Sequence, residues 1–284
     1  MTTLEGWVPS ERQRERDELR RRRTRRRGTV AAVSTVVVLG VLVAGVLSAP
    51  GWDRVRETYL SGDVAAEAFP LLLRAFVLNI GLFLVAEVFI LLLGTLIAVI
   101  RVVPAPALTP VKILATIYTD VFRGTPTILV VFLVGFGLPA LGLQGVPTNL
   151  FVLAVVALTL SYGAYVAEVI RAGIESVHPT QWASGRALGL SYARTLRHVV
   201  LPQALRRVGP PLLNDFVSLQ KDTALASLVG LGEILRRAQE VSSRDFNFTP
   251  YVVAAVFFVV ATIPLARLTD WLAVRAARRQ AGGA

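Results

Sequence analysis

The chain has 284 residues, of which 54% are hydrophobic and 17% are charged, and its mean hydropathy is +0.60. This composition is too apolar for an ordinary soluble domain of that length and predicts a polytopic membrane protein. The net charge of +11 is concentrated between apolar runs, without interleaved aromatic residues, which argues against nucleic-acid binding. There is no cysteine, and the two histidines, His178 and His198, are too few to favour a histidine-built metal centre.

The chain begins with a strongly basic segment, residues 1–28, which we expect to be a cytoplasmic tail. The charge-free run from Thr29 to Ser48 that follows has about the 20 residues that a helix needs to cross a bilayer. Its apolar core is longer than that of a secretory signal. Because arginines mark the cytoplasmic side of a span, the sequence predicts a first transmembrane helix at 29–48 with the N-terminus inside.

Five further apolar runs follow the first span. Residues 50–74 mix both signs of charge and are expected to form an outer loop, whereas the arginine-rich segments all fall on the inner side. We therefore predict an all-α integral membrane protein with six transmembrane helices, namely one N-terminal helix and a five-helix core in residues 71–274. Residues 275–284 form a second cytoplasmic tail, so both termini are cytoplasmic. The predicted core spans lie at about 75–100, 128–143, 150–167, 208–234 and 249–274.

The basic loop of residues 171–207 lies between the fourth and fifth predicted spans. A helix that starts near Thr180 is expected to end at Gly189, because glycine adopts the left-handed conformation just past a helix C-terminus at little cost. Ser191 is placed to cap a second short helix, and Pro202 is expected to end it. The loop is thus predicted to form a helix-turn-helix knob.

The knob combines an apolar side with a basic rim, which suits a partner groove. An alternative is that its arginines only hold the loop in the cytoplasm. The predicted apolar residues are Trp182, Leu188, Tyr192 and Leu196, and the rim consists of Arg186, Arg194, Arg197, Arg206 and Arg207.

Ionisable residues at membrane depth are costly and mark functional or packing sites. Lys221, Asp222 and Thr223 interrupt the fifth predicted span. They either line a translocation path or form an internal ion pair that holds the bundle together. Glu87, in the middle of the second span, either makes a structural or inter-subunit contact or recognises a substrate ammonium group.

A further break lies at Arg123, Gly124, Thr125 and Pro126, where glycine and proline end a helix. Arg123 stands three residues after Asp120, the spacing of a helical ion pair, and this pair could brace a gate. The remaining motif of this kind, Glu168 with Arg171, has the same spacing and is expected to anchor the base of the fourth span.

Several motifs together resemble the polar-amino-acid branch of ABC importer permeases, the histidine, glutamine and glutamate permease family with the MetI-like transmembrane fold. The spacing from Gly189 to Leu201-Pro202 is similar to that of the EAA loop, by which such permeases engage their ATPase. The extra N-terminal span resembles actinobacterial glutamate permease subunits. The other motifs that carry the resemblance are Phe122 to Pro126, Phe136 to Pro139, Gly163 to Tyr165 with Glu168, Arg171 to Ile174, Leu201 to Ala204, Asn214 and Lys221 to Leu225.

The resemblance implies a transport subunit that performs no covalent chemistry and binds no cofactor or metal itself. No P-loop pattern occurs in the sequence, so ATP and Mg²⁺ would be used by separate ATPase subunits. A second permease subunit, identical or different, and an extracytoplasmic amino-acid-binding protein would complete the complex in the bacterial cell membrane, surrounded by lipid. The implied coupling residues are Thr180, Gln181, Trp182, Ala183, Ser184, Gly185, Arg186, Ala187, Leu188, Gly189, Leu201 and Pro202. The implied path or gate residues are Glu87, Arg123, Gly124, Thr125, Pro126, Lys221, Asp222 and Thr223.

The sequence departs from the family pattern at one important place. Ala183-Ser184-Gly185 stands where the EAA loop has Glu-Ala-Ala, and Thr180 stands where glycine is usual. A glycine inside a helix costs about 1 kcal/mol relative to alanine, so the first helix of the knob is expected to be soft. A second, non-identical permease subunit with a better-matched loop would compensate.

Glutamate is the expected substrate, with glutamine, arginine and histidine as alternatives. An ion-coupled secondary transporter is a rival interpretation. Such a protein would need carboxylates that bind the coupling ion, and it would have no docking site for an ATPase. A membrane enzyme is disfavoured because the sequence has no clustered catalytic constellation.

Overall fold

The computed structural model describes residues 10–281, and within them the side chains of residues 10–13, 16 and 25–275. The described residues contain helices and no strand, which confirms the all-α prediction. The described residues fall into two compact units, divided between Glu57 and Thr58. The first contains helix α1, Glu11–Leu47, and most of α2, Trp52–Tyr59. The predicted tails at 1–28 and 275–284 fall partly outside the described residues.

The second unit begins its main helix, α3, at Gly62 and continues it to Val102. Ser61 caps α3 through a hydrogen bond that its hydroxyl accepts from the amide of Val64. Residues 50–74 were predicted to form a loop, but α2 and the start of α3 make most of this segment helical. Pro70 lies inside α3 and did not end it, although proline cannot donate a helical hydrogen bond.

The remaining helices follow in short succession. A 3₁₀ turn, Pro106–Leu108, leads into α4, Thr109–Gly124, and α5, Thr127–Phe132, continues through a π-helical turn, Leu133–Gly137, into α6, Leu138–Ala140. The later elements are α7 (Leu150–Glu175), α8 (Pro179–Ala187), α9 (Tyr192–Thr195), a π-helical turn (Leu196–Val200), α10 (Leu201–Asp222), a 3₁₀ stretch (Thr223–Val229), α11 (Ile234–Asp245) and α12 (Thr249–Ala281).

The core is built on α3 and α7, which pack against each other over much of their length. Gly94 of α3 makes this close approach possible: a Cβ atom there would lie 2.5 Å from Cγ1 of Val166. Gly173 of α7 similarly admits Val208 of α10. Small residues let membrane helices approach closely and gain dispersion contacts, so these glycines set the spacing of the central bundle.

Within residues 10–281, four helical segments are long and apolar enough to cross a membrane, and a bent pair makes up a fifth if it is counted as one span. The four are Arg25–Leu47, Trp52–Val102, Leu150–Glu175 and Thr249–Arg275, and the pair Pro106–Gly124 and Thr127–Ala140 is bent by 107°. The predicted span at 208–234 is not among them, because α10 ends at Asp222 and carries several charged residues. A multi-pass membrane protein is therefore supported, and the count of six spans stays a prediction.

The glycine contact between α3 and α7 can be tested with one matched pair of variants. Gly94→Ala should destabilise the protein by about 1–3 kcal/mol, since the stiff, buried Val166 has little room to yield. Gly81→Ala, on the same helix, has no described atom within 4 Å of the new methyl group and should be neutral or stabilising by up to about 1 kcal/mol. Thermal unfolding of the purified variants in detergent measures the difference, and equal midpoints would contradict this account of the core.

Candidate coupling and translocation sites

The predicted knob is present as α8, a tight turn and α9. Gly189 has φ +78°, in the left-handed region that favours glycine. The amide of Leu190 donates to the carbonyl of Gly185, and the amide of Gly189 donates to that of Arg186, which together form a Schellman motif. Ser191 accepts a hydrogen bond from the amide of Arg194, as expected of an N-cap.

Pro202 does not end the second helix of the knob, contrary to the sequence-based expectation. α9 continues through the π-helical turn Leu196–Val200 into α10, where Pro202 is one of the first residues. The amide of Leu201 donates to the carbonyl of Leu196, a wider hydrogen-bonded ring than that of an α-helix. The chain therefore stays helical from Tyr192 to Asp222, with Pro202 placed directly after the π-helical turn, where the regular hydrogen-bond pattern is already interrupted.

Gly185 has a packing role that its position in the sequence did not reveal. It is buried in α8, and a Cβ atom there would lie 2.6 Å from Cγ2 of Thr195 in α9. Trp182 and Tyr192 stack across the same interface with ring centroids 4.8 Å apart. The two helices are therefore held in close contact. Gly185 permits this contact, in addition to the softening of the knob that the sequence predicts.

The predicted apolar side of the knob divides into two parts. Leu196 is buried, and Trp182 and Tyr192 pack against the main core cluster, so these three side chains attach the knob to its own chain. Leu188, next to Gly189, is 81% exposed and is the one that presents apolar surface. The apolar surface that the knob offers to a partner is thus smaller than predicted and lies at the turn between α8 and α9.

Polar contacts fix the knob to the bundle. The hydroxyl of Tyr192 donates to the carbonyl of Val102 at the end of α3, at 3.3 Å. Burial raises the pKa of the Tyr192 hydroxyl. From α10, Arg207 donates to the carbonyl and to the hydroxyl of Ser176, just before α8. The base of the knob is therefore tied to both α3 and α7.

Glu168 of α7 gathers arginines from three helices. Its carboxylate lies 2.9 Å from Arg101 of α3, 2.6 Å from Arg171 of α7 and 3.9 Å from Arg123 of α4. Glu168 pairs with Arg171 as its spacing predicted, but Arg123 pairs with Glu168 and not with Asp120. The prediction failed because the helix-to-helix contact outweighs the local spacing. This Glu168 cluster holds together the ends of α3 and α4.

The helix break predicted at Arg123 to Pro126 is present in the structure. α4 ends at Gly124, α5 starts at Thr127, and the two helices meet at the 107° bend. The hydroxyl of Thr125 donates to the carbonyl of Val121, which satisfies one acceptor of the ending helix. The Glu168 cluster thus lies directly beside the bend.

The interruption predicted at Lys221 to Thr223 is also present. α10 ends at Asp222, and the chain continues as a 3₁₀ stretch to Val229. Asp222 accepts a hydrogen bond of 2.8 Å from the hydroxyl of Tyr162, in α7. Lys221 is exposed and forms no ion pair with Asp222. The alternative of an internal Lys221–Asp222 pair is therefore wrong for this structure.

The break is secured by a buried group that the sequence did not indicate, Glu233. Its carboxylate caps α11 by accepting from the amide of Arg236, and it accepts a 2.8 Å hydrogen bond from Nδ2 of Asn79. The same Asn79 nitrogen donates to Thr223, and its Oδ1 accepts from the amide of Ile234. Glu233 and Thr223 are both fully buried. The only available signal was the N-cap position of Glu233 before a helical run.

Glu87 is half-buried in α3, within electrostatic reach of Asp215 in α10. One oxygen of Asp215 is buried and has no hydrogen-bond partner among the described residues. Two carboxylates therefore face the same region from α3 and α10, and Asp222 lies two helical turns beyond Asp215. The predicted coupling residues and the predicted path residues do not meet in one site, since α8 lies at the opposite end of α10 from Asp222. No group of metal-ligating side chains occurs within the described part of the chain.

Comparisons with known proteins agree with this arrangement. Residues 92–278 match the family model described as "Binding-protein-dependent transport system inner membrane component". The arginine transport system permease protein ArtQ of Bacillus subtilis is 33% identical over 197 residues, 69% of this chain and 88% of that protein. The glutamate transport system permease protein GluC of Corynebacterium glutamicum is 34% identical over 225 residues, 74% of this chain and 97% of that protein.

Solved structures give the same result. The crystal structure of an amino acid ABC transporter with histidines aligns with a TM-score of 0.66 at 31% identity, covering 74% of this chain and 96% of that one. The inward-facing MetNI methionine ABC transporter aligns with a TM-score of 0.61 at 19% identity and shares the fold.

The Glu168 cluster predicts a measurable contribution to stability. Glu168→Gln leaves Arg101, whose side chain is 14% exposed, without its carboxylate, and should cost about 1–3 kcal/mol. Glu240→Gln is the matched control, because Glu240 in α11 is well exposed and pairs only within its helix. Its hydrogen bond from Arg237 lowers the pKa of Glu240, yet an exposed helical pair contributes only about 0.5 kcal/mol. Comparable losses in both variants, measured by thermal unfolding, would show that the cluster has no special role.

Proposed function

Because the chain belongs to the family of inner-membrane components of binding-protein-dependent transport systems, we propose that it is the permease subunit of an ATP-driven importer of polar amino acids, with glutamate as the first candidate. The observation that carries the proposal is the knob of α8, Gly189 and α9, joined without a break to the interrupted helix α10. A push on the knob would be transmitted along α10 to Asp222.

The knob has the form of a docking element for an ATPase. Leu188 presents an exposed apolar side chain at the turn, and Arg186 and Arg194 place positive charge beside it. ATP and Mg²⁺ would be used by the partner, and this chain would perform no covalent chemistry. An ion-coupled secondary transporter remains the rival, and it has no use for such a knob.

The translocation path is proposed to pass the break after Asp222. Freed backbone groups and a carboxylate at an interrupted helix suit a polar solute. Glu87, Asp215 and Asp222 supply carboxylates in this part of the bundle, where each could receive the α-ammonium group that all amino acids carry. The bend at Arg123 to Pro126 is proposed as a gate beside the path, braced by Glu168.

The substrate follows from the relatives only as far as the class. GluC supports glutamate, whereas the arginine permease ArtQ and a probable glutamine permease of Bacillus subtilis, GlnM, are similar to a comparable degree. Carboxylates that bind an α-ammonium group do not discriminate among these amino acids. An extracytoplasmic binding protein is therefore proposed to set much of the specificity.

A second permease subunit is proposed to complete the path, and a different chain fits better than a second copy. Ala183-Ser184-Gly185 lacks the carboxylate of the EAA pattern, so a sibling subunit with that carboxylate would supply the stronger dock. We propose that the complex lies in the bacterial cell membrane with both termini of this chain in the cytoplasm.

The turn of the knob provides the first test of coupling. No described atom lies within 4 Å of a Cβ at Gly189, so any effect of substitution comes from its positive φ alone. Gly189→Val should therefore reduce uptake and substrate-stimulated ATP hydrolysis at least tenfold while the subunit accumulates normally. Gly189→Asn is the control, because asparagine tolerates the left-handed region, and it should retain most activity. Wild-type uptake by Gly189→Val would remove the docking assignment.

The path assignment is tested at Asp222. Asp222→Asn keeps a group that can accept the hydrogen bond from Tyr162 but removes the charge, so the complex should assemble while uptake falls at least tenfold. Tyr162→Phe distinguishes the charge of Asp222 from its hydrogen bond, because this variant removes the hydrogen bond and keeps the carboxylate. Normal initial uptake by Asp222→Asn would exclude Asp222 from the path.

The function as a whole is tested by two measurements. Purification in mild detergent should recover an ATPase and a second permease with this chain, whereas a secondary transporter would be recovered without an ATPase. Uptake of labelled glutamate, glutamine, arginine and histidine in a strain that lacks the chain then identifies the substrate. Loss of glutamate uptake alone is the expected result, and selective loss of another amino acid would reassign the specificity without changing the class.

A further inference from the structure

The N-terminal helix carries an unusual density of charge at its membrane end. Seven of the eight residues from Arg20 to Arg27 are arginine. They lie in α1, which runs unbroken from Glu11 to Leu47, and the apolar candidate span begins within them at Arg25. At about 1.5 Å per residue, these eight positions extend over about 10 Å of the helix axis. We refer to Arg20 to Arg27 as the basic collar.

Part of the basic collar has no local counter-charge. Asp17 and Glu18 stand three or four positions before Arg20 to Arg22, the spacing of helical ion pairs. By contrast, no acidic residue occurs within four positions of Arg23, Arg25, Arg26 or Arg27. The side chains of the last three are exposed and make no ion pair with any carboxylate that the structure describes. Arg25, Arg26 and Arg27 therefore remain for a partner outside the helix.

The distribution of the arginines around the helix identifies the direction of that partner. Successive residues of an α-helix are turned by about 100°, so the exposed side chains of Arg25, Arg26 and Arg27 leave α1 in three directions spread over about 200°. A neighbouring protein surface could cover only one side of the collar. Whatever the rotation of α1, the other sides face the lipid headgroups that adjoin the end of the span.

We propose that the basic collar binds anionic phospholipid headgroups of the inner leaflet, an inference that rests on the proposed cytoplasmic N-terminus. The headgroup layer is about 5–7 Å thick on each side of the hydrocarbon core. Arg25 to Arg27 fall within it, and Arg20 to Arg23 lie within about one to two Debye lengths of its charge at physiological salt. Guanidinium groups bind phosphate oxygens in bidentate fashion, and clustered arginines beside a span are typical of anionic-lipid binding.

The test measures bound lipid directly and needs no transport. The complete transporter, purified from cells, is incorporated into nanodiscs of phosphatidylcholine with 20% phosphatidylglycerol, and the lipids retained after extraction are counted by native mass spectrometry. Arg25, Arg26 and Arg27 changed together to Gln should reduce the retained phosphatidylglycerol at least threefold. The same residues changed to Lys should retain most of it, because the charge is kept. In the wild type, retention should fall as salt is raised from 0.05 to 0.5 M, about a threefold shorter Debye length.

Arg12, Arg14 and Arg16 changed together to Gln form the matched control, since this variant loses the same charge from the same helix about 15 Å or more beyond the collar's membrane end. It should retain phosphatidylglycerol like the wild type. Equal retention in all variants, or no response of the wild type to salt, would overturn the proposal. Loss of the ATPase subunit with unchanged lipid would assign the collar to a protein partner instead. A reporter active only outside the membrane, fused to the N-terminus, should stay inactive in each variant, and activity in the wild type would remove the premise.

Discussion

A helix can be interrupted inside a membrane only if the backbone groups that it releases find other partners. In this chain that requirement is met by Asn79, which binds Thr223 and Glu233 and also accepts from the amide of Ile234. Glu233 in turn caps α11. One buried side chain of α3 thus stabilises the end of α10, the 3₁₀ stretch and the start of α11. Asp222 lies at the edge of this network, and among the described residues its carboxylate accepts a hydrogen bond from Tyr162 alone.

The second organising contact lies at the other end of α7. Glu168 binds arginines of α3, α4 and α7, and Tyr192 attaches the knob to the end of α3. These contacts connect the knob to α3 and, through Glu168, to the bend between α4 and α5. Arg123 is the weakest member of the cluster, since its side chain is 42% exposed and lies 3.9 Å from Glu168. A gate that opens at this bend would break that contact first and leave the pair of Arg101 and Glu168 intact.

The features that the sequence predicted correctly are those decided by local chemistry. Gly189 and Ser191 indicate a helix end and a helix start within three residues, and the charge-free run from Thr29 is helical as far as Leu47. Failures occurred where a partner distant in sequence decides the outcome. Arg123 pairs with a residue 45 positions away, and Glu233 is bound by Asn79, 154 positions away. Gly185 was judged on helix propensity, although its contact with Thr195 makes the absence of a side chain necessary.

The π-helical turn at Leu196–Val200 has a consequence for the whole of α10. Such a turn holds more residues than a turn of α-helix, and it lies where the knob joins α10. Removing one residue from this turn would restore a regular α-helix and leave the residues after it facing nearly the same way, because the wider turn accommodates its extra residue within itself. Removing one residue from the α-helical stretch that follows would instead rotate everything after it by about 100°. The contacts of Asp222 with Tyr162 and of Val208 with Gly173 therefore tolerate a change of length at the π-helical turn, but not in the helix between Pro202 and Val208.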